Sequence, residues 1–199
     1  ALAQPAVDMV SGVPLDIPLL HFKEANAMRQ ALLDASDSLR KSQYDAHHDS
    51  LTGLPNRTLF RLSVAQNLAL CERNNDELCA LFIDLDGFKA VNDTLGHAAG
   101  DQLLREVSQR IAKACRTSDI CSRLGGDEFA VALIHSSLEQ SRVFATRLVE
   151  LISQPYFLDG HRAEVSASIG VSHFPGTATD VDTLLRKADQ AMYLSLIHI

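Results

Sequence analysis

The four cysteines of this chain, Cys71, Cys79, Cys115 and Cys121, include no CxxC spacing. The eight histidines include no HExxH, and only His47 and His48 are adjacent. The first absence favours reduced thiols in a cytosolic domain over a disulfide frame, and the second argues against a zinc site. No apolar stretch approaches the ~18–20 residues of a membrane span, and no signal peptide opens the chain. There is also no run of Lys or Arg: 18 basic residues stand against 25 acidic ones, so 18 − 25 = −7. Such a chain is poorly suited to holding duplex DNA or an anionic membrane through bulk charge. A polyanionic ligand would need a bound cation or a few well-placed basic groups.

The 199 residues, 46% hydrophobic and 22% charged, suit one globular domain with an appendage. Pro5, Pro14 and Pro18 mark residues 1–20 as a linker. From Phe22 to Ala46 there is neither Pro nor Gly, and Ala25, Met28, Leu32, Ala35, Leu39, Ser42 and Ala46 follow the 3-4 spacing of a coiled-coil seam. Residues 21–48 are therefore expected to form a signalling helix that pairs with a second copy. A single amphipathic helix lying on its own domain is the alternative. The start at Ala1 rather than Met suggests further sequence upstream.

Gly53 and Pro55 in DSLTGLPNR end that helix, and another is expected from Asn56 to Cys71. Leu78–Asp84 is a continuous apolar run of strand length, predicted to be a buried central strand. Helices are predicted over 100–115, 138–152 and 180–192, and strands over 119–124, 128–134 and 164–174, the first two joined as a hairpin at Gly125-Gly126. This order describes an α/β fold, a central mixed sheet covered by helices and preceded by a helical linker.

Two acidic clusters carry the chemistry. Asp84 and Asp86 stand at the exit of the apolar strand, and Asp127 and Glu128 at the Gly125-Gly126 turn. Carboxylates at the ends of buried strands are costly unless paired or bound to a cation, and Mg2+ takes one or two of them together with water and phosphate oxygens. Spacing alone leaves open a simple strand cap and a turn residue. Gly87 and Phe88 lie in a tight strand-to-helix turn whose N–H groups suit phosphate, with Lys89 as a point charge. Asn92 and Asp101 offer an amide and a carboxylate able to read guanine, although an isolated Asn92 serves as well in helix capping.

The string Arg123–Phe129 reads RLGGDEF, and it is accompanied by DSLTGLPNR, FIDLDGFKAVNDTLGHAAGD and ADQAMY. On these motifs the stretch from about Asp45 to Tyr193 strongly resembles the GGDEF family of diguanylate cyclases, with the domain itself placed at 49–193. The resemblance implies a palm-like fold and condensation of two GTP into cyclic di-GMP with release of pyrophosphate. It implies Asp84, Asp127 and the Leu85 carbonyl as ligands of Mg2+, with Mn2+ as a substitute, and Glu128 as an aid to the metal site or the attacking hydroxyl. Asn92 and Asp101 would read guanine; Gly87, Phe88 and Lys89 would hold phosphates; Gly125 and Gly126 would leave room for the nucleotide. Each domain of the family holds one GTP, so the reaction implies a homodimer. Arg116 and Asp119 form an RxxD with five residues between Asp119 and Gly125, the spacing of the family's product-inhibition site, and Arg147 would contribute from a neighbouring helix. A helix-end and strand-cap role for Arg116 and Asp119 is the alternative.

Residues 12–24 also resemble the second half of a HAMP-type signal relay, which implies that the intact protein is anchored in the bacterial inner membrane through a missing upstream region. After ADQAMY the family continues with a small residue and a Lys; here Leu196 takes the Lys position, and residues 194–199 read as a truncated or non-native tail. The same resemblance therefore allows a weak or inactive module that binds GTP or cyclic di-GMP as a receptor.

Overall fold

The apolar run at Leu78 is a strand because both of its faces are covered. In the computed structural model, which describes residues 23–196, Leu78–Asp86 forms β1, one of the two inner strands of a four-stranded sheet. Its neighbours are β3 (Glu128–Ile134) and β6 (Ser166–Phe174), and β2 (Ile120–Gly125) lies outside β3, in the order β2-β3-β1-β6. Strand period 2 sends Leu81, Ile83 and Leu85 into one apolar cluster and Ala80 and Phe82 into another. The first face packs against α4 (His97–Ala114), through Leu103, Val107 and Ile111, and α5 (Leu138–Ile152), through Leu148 and Ile152. The second packs against α2 (Arg57–Asn74), through Phe60, Val64 and Leu68, and α6 (Val181–Leu196), through Leu184, Ala188 and Met192.

Two expectations about the sheet and its connections need correction. The pairings β1–β3, β1–β6 and β2–β3 are all antiparallel, so the sheet is not mixed. The hairpin reverses β3 against β2 and lays it beside β1, and the chain returns along β6 against β1 on the other side. The helix expected from Gly100 starts earlier, at His97, and is preceded by α3 (Phe88–Leu95); Gly96, with φ 86°, forms the elbow between them. A short hairpin, β4 (Tyr156–Leu158) and β5 (His161–Ala163), turns through Asp159 and Gly160, both at positive φ. The remaining elements lie where the sequence places them, α5 with a Ser137/Gln140 capping box and α2 with Asn56 as its N-cap.

The N-terminal helix α1 (Lys23–His47) forms a unit of its own. Along its expected seam Met28 is 56% and Leu39 48% exposed. The linker and most of the HAMP-like segment, residues 1–22, and tail residues 197–199 lie outside the described residues; Leu194–Leu196 continue α6. No described helix is long and apolar enough to cross a membrane.

Helix α6 can approach the sheet closely because Gly170 of β6 has no side chain. A Cβ there would lie 1.9 Å from the Ala188 carbonyl oxygen and 2.4 Å from the Met192 nitrogen, both helix backbone, which cannot step aside. Gly170→Ala is therefore expected to lift the ADQAMY helix off the strand at a cost of about 3 kcal/mol, the upper range for overpacking. For a domain of this size that lowers Tm by roughly 6–12 °C, measurable by calorimetry.

Candidate active site

The pairing register of β1 and β3 assembles the acidic site. Asp84 lies directly opposite Glu128, so the strand exit and the GGDEF turn share one sheet edge. Alternation puts Asp84 and Asp86 on the α2/α6 face. Burial, followed by the charges of Asp127, Asp86, Glu128 and Asp189, pushes the Asp84 carboxyl above its ordinary range. Asp86 is relieved by the Ser168 hydroxyl, which lies 3.0 Å from both its carboxylate oxygens, and Glu128 accepts from Arg57 Nη2 at 3.1 Å. Asp84 has no such cationic partner among the causes of its shift, which is the electrostatic condition a divalent cation relieves.

The donor set fits Mg2+ in a particular way. Among the described residues no three His, Cys, Asp or Glu side chains converge into a ready metal cage. Two carboxylates with substrate phosphates completing the shell suit Mg2+, which dehydrates reluctantly and is seldom held by protein alone.

Around this edge stand the other expected residues. Gly87, at φ 86°, turns β1 into α3, and no side chain caps that helix start, so the first N–H groups beside the half-buried Phe88 and the exposed Lys89 are available to an anion. Asn92 on α3 and Asp101 on α4 are brought near each other across the Gly96 elbow: the ideal Cβ position of Gly100, the residue before Asp101, lies 2.0 Å from Asn92 Oδ1. Gly125 and Gly126 adopt φ 142° and 53°, and a Cβ on either meets nothing within 4 Å. Their necessity in the protein alone is therefore the backbone conformation, and the space above the turn is open.

Arg116, Asp119 and Arg147 are brought together in a different place. They line one cavity of about 580 Å3 that none of the metal, phosphate or guanine candidates lines. Asp119 also does the work of a cap, accepting from the Arg116 amide at 2.7 Å and the Ile134 amide at 3.3 Å. Arg147 lies over the Phe144 ring and donates to the Ala114 carbonyl at 3.2 Å.

The sequence alone gives no task to the polar residues of DSLTGLPNR or to Arg123 of RLGGDEF. The structure joins them. Arg123 Nη1 donates to both Asp49 oxygens at 2.9 and 3.1 Å, while its Nε and Nη2 donate to the Gly126 carbonyl at 3.0 and 2.7 Å. Thr52 donates to the same Asp49 through its amide and hydroxyl. The Pro55 carbonyl accepts from the Arg123 amide and the Ser122 hydroxyl, and Arg57 reaches Leu124 and Glu128. The loop before α2 is thus a brace for the turn that carries Asp127. Their one signal in sequence is proximity to those two motifs.

An antiparallel sheet between two helical layers, with paired carboxylates at a Gly-Gly turn and an anion-ready strand-to-helix turn beside them, defines a palm-like α/β domain. Residues 46–196 match the family described as "Diguanylate cyclase, GGDEF domain", and the chain belongs to the GGDEF family. It is 40% identical over 175 residues to the diguanylate cyclase TpbB of Pseudomonas aeruginosa, covering 86% of this chain and 39% of that protein. It is equally 40% identical over 170 residues to the cyclic di-GMP phosphodiesterase NbdA of the same organism, covering 85% of this chain and 21% of NbdA. The chain thus spans between a fifth and two fifths of these relatives. The structure of the TpbB GGDEF domain alone superposes with a TM-score of 0.74 at 41% identity, covering 77% of this chain and 90% of that one. The coiled coil and GGDEF domain of DgcB from Caulobacter crescentus, solved in complex with c-di-GMP, gives a TM-score of 0.77 at 25% identity, covering 88% and 92%.

Proposed function

We propose that this domain condenses two molecules of GTP into cyclic di-GMP, releasing two pyrophosphates. The observation that carries the reading is the register placing Asp84 opposite Glu128, which gathers a carboxylate cluster around Asp84 beside an anion-ready turn. Asp84 and Asp127, with the Leu85 carbonyl, are the residues that would hold Mg2+, or Mn2+ in its place. When bound, the cation neutralises triphosphate charge and steadies the pyrophosphate leaving group. Gly87 and Phe88 present backbone N–H groups to the phosphates, and Lys89 adds its charge. Asn92 and Asp101 take the guanine edge. Glu128 stands next to Asp127 as an acceptor for the proton of the attacking 3′-hydroxyl, steadied by Arg57.

Each 3′-hydroxyl must reach the α-phosphate of the GTP on another domain, so the reaction needs two copies face to face. The exposed Met28 and Leu39 on α1 give the pair a seam, and DgcB was solved with a coiled coil together with its GGDEF domain. The cavity lined by Arg116, Asp119 and Arg147 suits product inhibition, since an Arg fork takes a phosphodiester or a guanine edge bidentately. With GTP as substrate, the domain works in the cytoplasm. The receptor reading draws on Leu196 at the family's Lys position and on the phosphodiesterase name of NbdA.

Incubation with GTP and MgCl2, followed by chromatography and a pyrophosphate assay, decides between them. The expected result is one cyclic di-GMP per two pyrophosphates, with a rate per domain that rises with protein concentration. Nucleotide binding without pyrophosphate release would establish the receptor reading instead.

A further inference from the structure

Gly100 is a glycine inside a helix, the fourth residue of α4, and it is buried. Helix propensity alone makes that choice unfavourable by about 1 kcal/mol relative to Ala. Its φ is not in the left-handed region, so no backbone requirement excludes Ala. What occupies the place of its missing side chain is Asn92: an ideal Cβ would lie 2.0 Å from Oδ1, 2.9 Å from Cγ and 3.4 Å from Nδ2 of that residue. The Asn92 amide therefore fills, oxygen foremost, the space a Cβ would take on the α4 backbone. Its own backbone is held at the same elbow, where the Gly96 N–H donates to the Asn92 carbonyl at 2.9 Å and the Gly100 N–H to the Gly96 carbonyl at 3.2 Å. Asp101, the other guanine candidate, follows directly.

We infer that Gly100 is a specificity-positioning residue: its lack of a side chain seats the Asn92 amide beside Asp101, and so sets the geometry with which the base is read. This rests on the assignment of Asn92 and Asp101 to guanine. Gly100 touches no substrate and acts only through Asn92. A Cβ at this place collides with the end of a side chain that can rotate, so the fold can absorb it. What it cannot keep is the position of the amide.

The test is equilibrium binding of α,β-methylene GTP with Mg2+, which blocks loss of pyrophosphate, measured by titration calorimetry for the native chain, Gly100→Ala, Asn92→Ala and the double variant, with thermal melts of each. Gly100→Ala is expected to weaken binding about tenfold, the worth of one well-made hydrogen bond, and by no more than Asn92→Ala does. The double variant is expected to bind no worse than Asn92→Ala alone, the signature of two residues acting as one. The Tm of Gly100→Ala is expected to hold or rise, because the helix gains an Ala, a split that a merely structural glycine does not produce. If Asn92→Ala weakens binding and Gly100→Ala does not, or if Gly100→Ala weakens it again in the Asn92→Ala background, the role of Gly100 is refuted while the guanine assignment survives. If Asn92→Ala binds as the native chain does, the guanine assignment fails and takes this inference with it. Should Gly100→Ala not fold, a folded double variant still identifies Asn92 as what the Cβ strikes and supports the inference; two unfolded variants overturn it.

Discussion

Asp127→Asn is expected to lower the rate of cyclic di-GMP formation about a thousandfold while raising the Tm of the metal-free protein. Both effects have one cause. Asp127 belongs to a set of carboxylates, with Asp86, Glu128 and Asp189, whose charges add to burial in pushing the Asp84 carboxyl up. In the folded, metal-free chain this crowding is a cost, because a carboxyl raised in the folded state makes folding less favourable at neutral pH and more favourable as pH falls toward its folded value. Removing one charge relieves it. The carboxylates are at most half-buried, so screening keeps the gain under about 1 kcal/mol, a few degrees of Tm at most. The loss of turnover comes from the same charge seen from the other side. An amide is a much poorer ligand for a hard cation, and a thousandfold is about 4 kcal/mol of transition-state stabilisation at roughly 1.36 kcal/mol per tenfold. Calorimetric melts with and without MgCl2 separate the two effects: Mg2+ is expected to raise the Tm of the native chain and to raise that of Asp127→Asn much less. A variant that kept its rate, or a native Tm indifferent to Mg2+, would remove Asp127 from the metal site.

The opposition between stability and function at this edge explains which parts of the site could be read in advance. Asp84, Asp127 and Glu128 were legible because charges at the ends of apolar runs are locally anomalous, and the anomaly needs no knowledge of the fold. Likewise LCALFID and Leu138–Ile152 announce a buried strand and a helix through hydrophobic patterning and length alone. The direct opposition of Asp84 and Glu128 depends on the pairing register of strands more than 40 positions apart, which no local pattern encodes. The Gly96 elbow was not legible because α3 is only eight residues long, too short for its periodicity to stand out, and the positive φ of Gly96 belongs to the backbone. The β4–β5 hairpin did carry a signal, the Asp159-Gly160 dipeptide, but its strands are only three residues each, too short for alternation to show. Arg123 and Asp49 are 74 positions apart and have meaning only as a pair.

That pair carries the second large expectation. Arg123→Met is expected to destabilise the domain by about 3 kcal/mol and, in protein that remains folded, to reduce turnover by about 10–100-fold. The side chains are enclosed, with Arg123 10% and Asp49 21% exposed, so the loss is not that of a surface ion pair. Methionine fills the volume and removes the fork, leaving Asp49 short of its cation and the Gly126 carbonyl without its two donors. The turn holding Asp127 then keeps its glycines and loses its brace. Arg123→Lys is expected to recover some stability and little rate, because one ammonium cannot meet Asp49 and Gly126 together. The pH dependence distinguishes this clamp from generic packing. Burial raises the Asp49 carboxyl, but the Thr52 and Arg123 hydrogen bonds and the Arg123 charge together outweigh it and hold it below its ordinary value. A carboxyl depressed by folding contributes stability that is fully present above its unfolded value and disappears as pH falls through its folded value. The gap in stability between native chain and Arg123→Met should therefore be constant near neutrality and narrow as pH drops below about 4. Urea melts from pH 7 to pH 3 measure that gap, and one that stayed constant across the range would show that Arg123 acts through its bonds to the Gly126 carbonyl, not by holding Asp49.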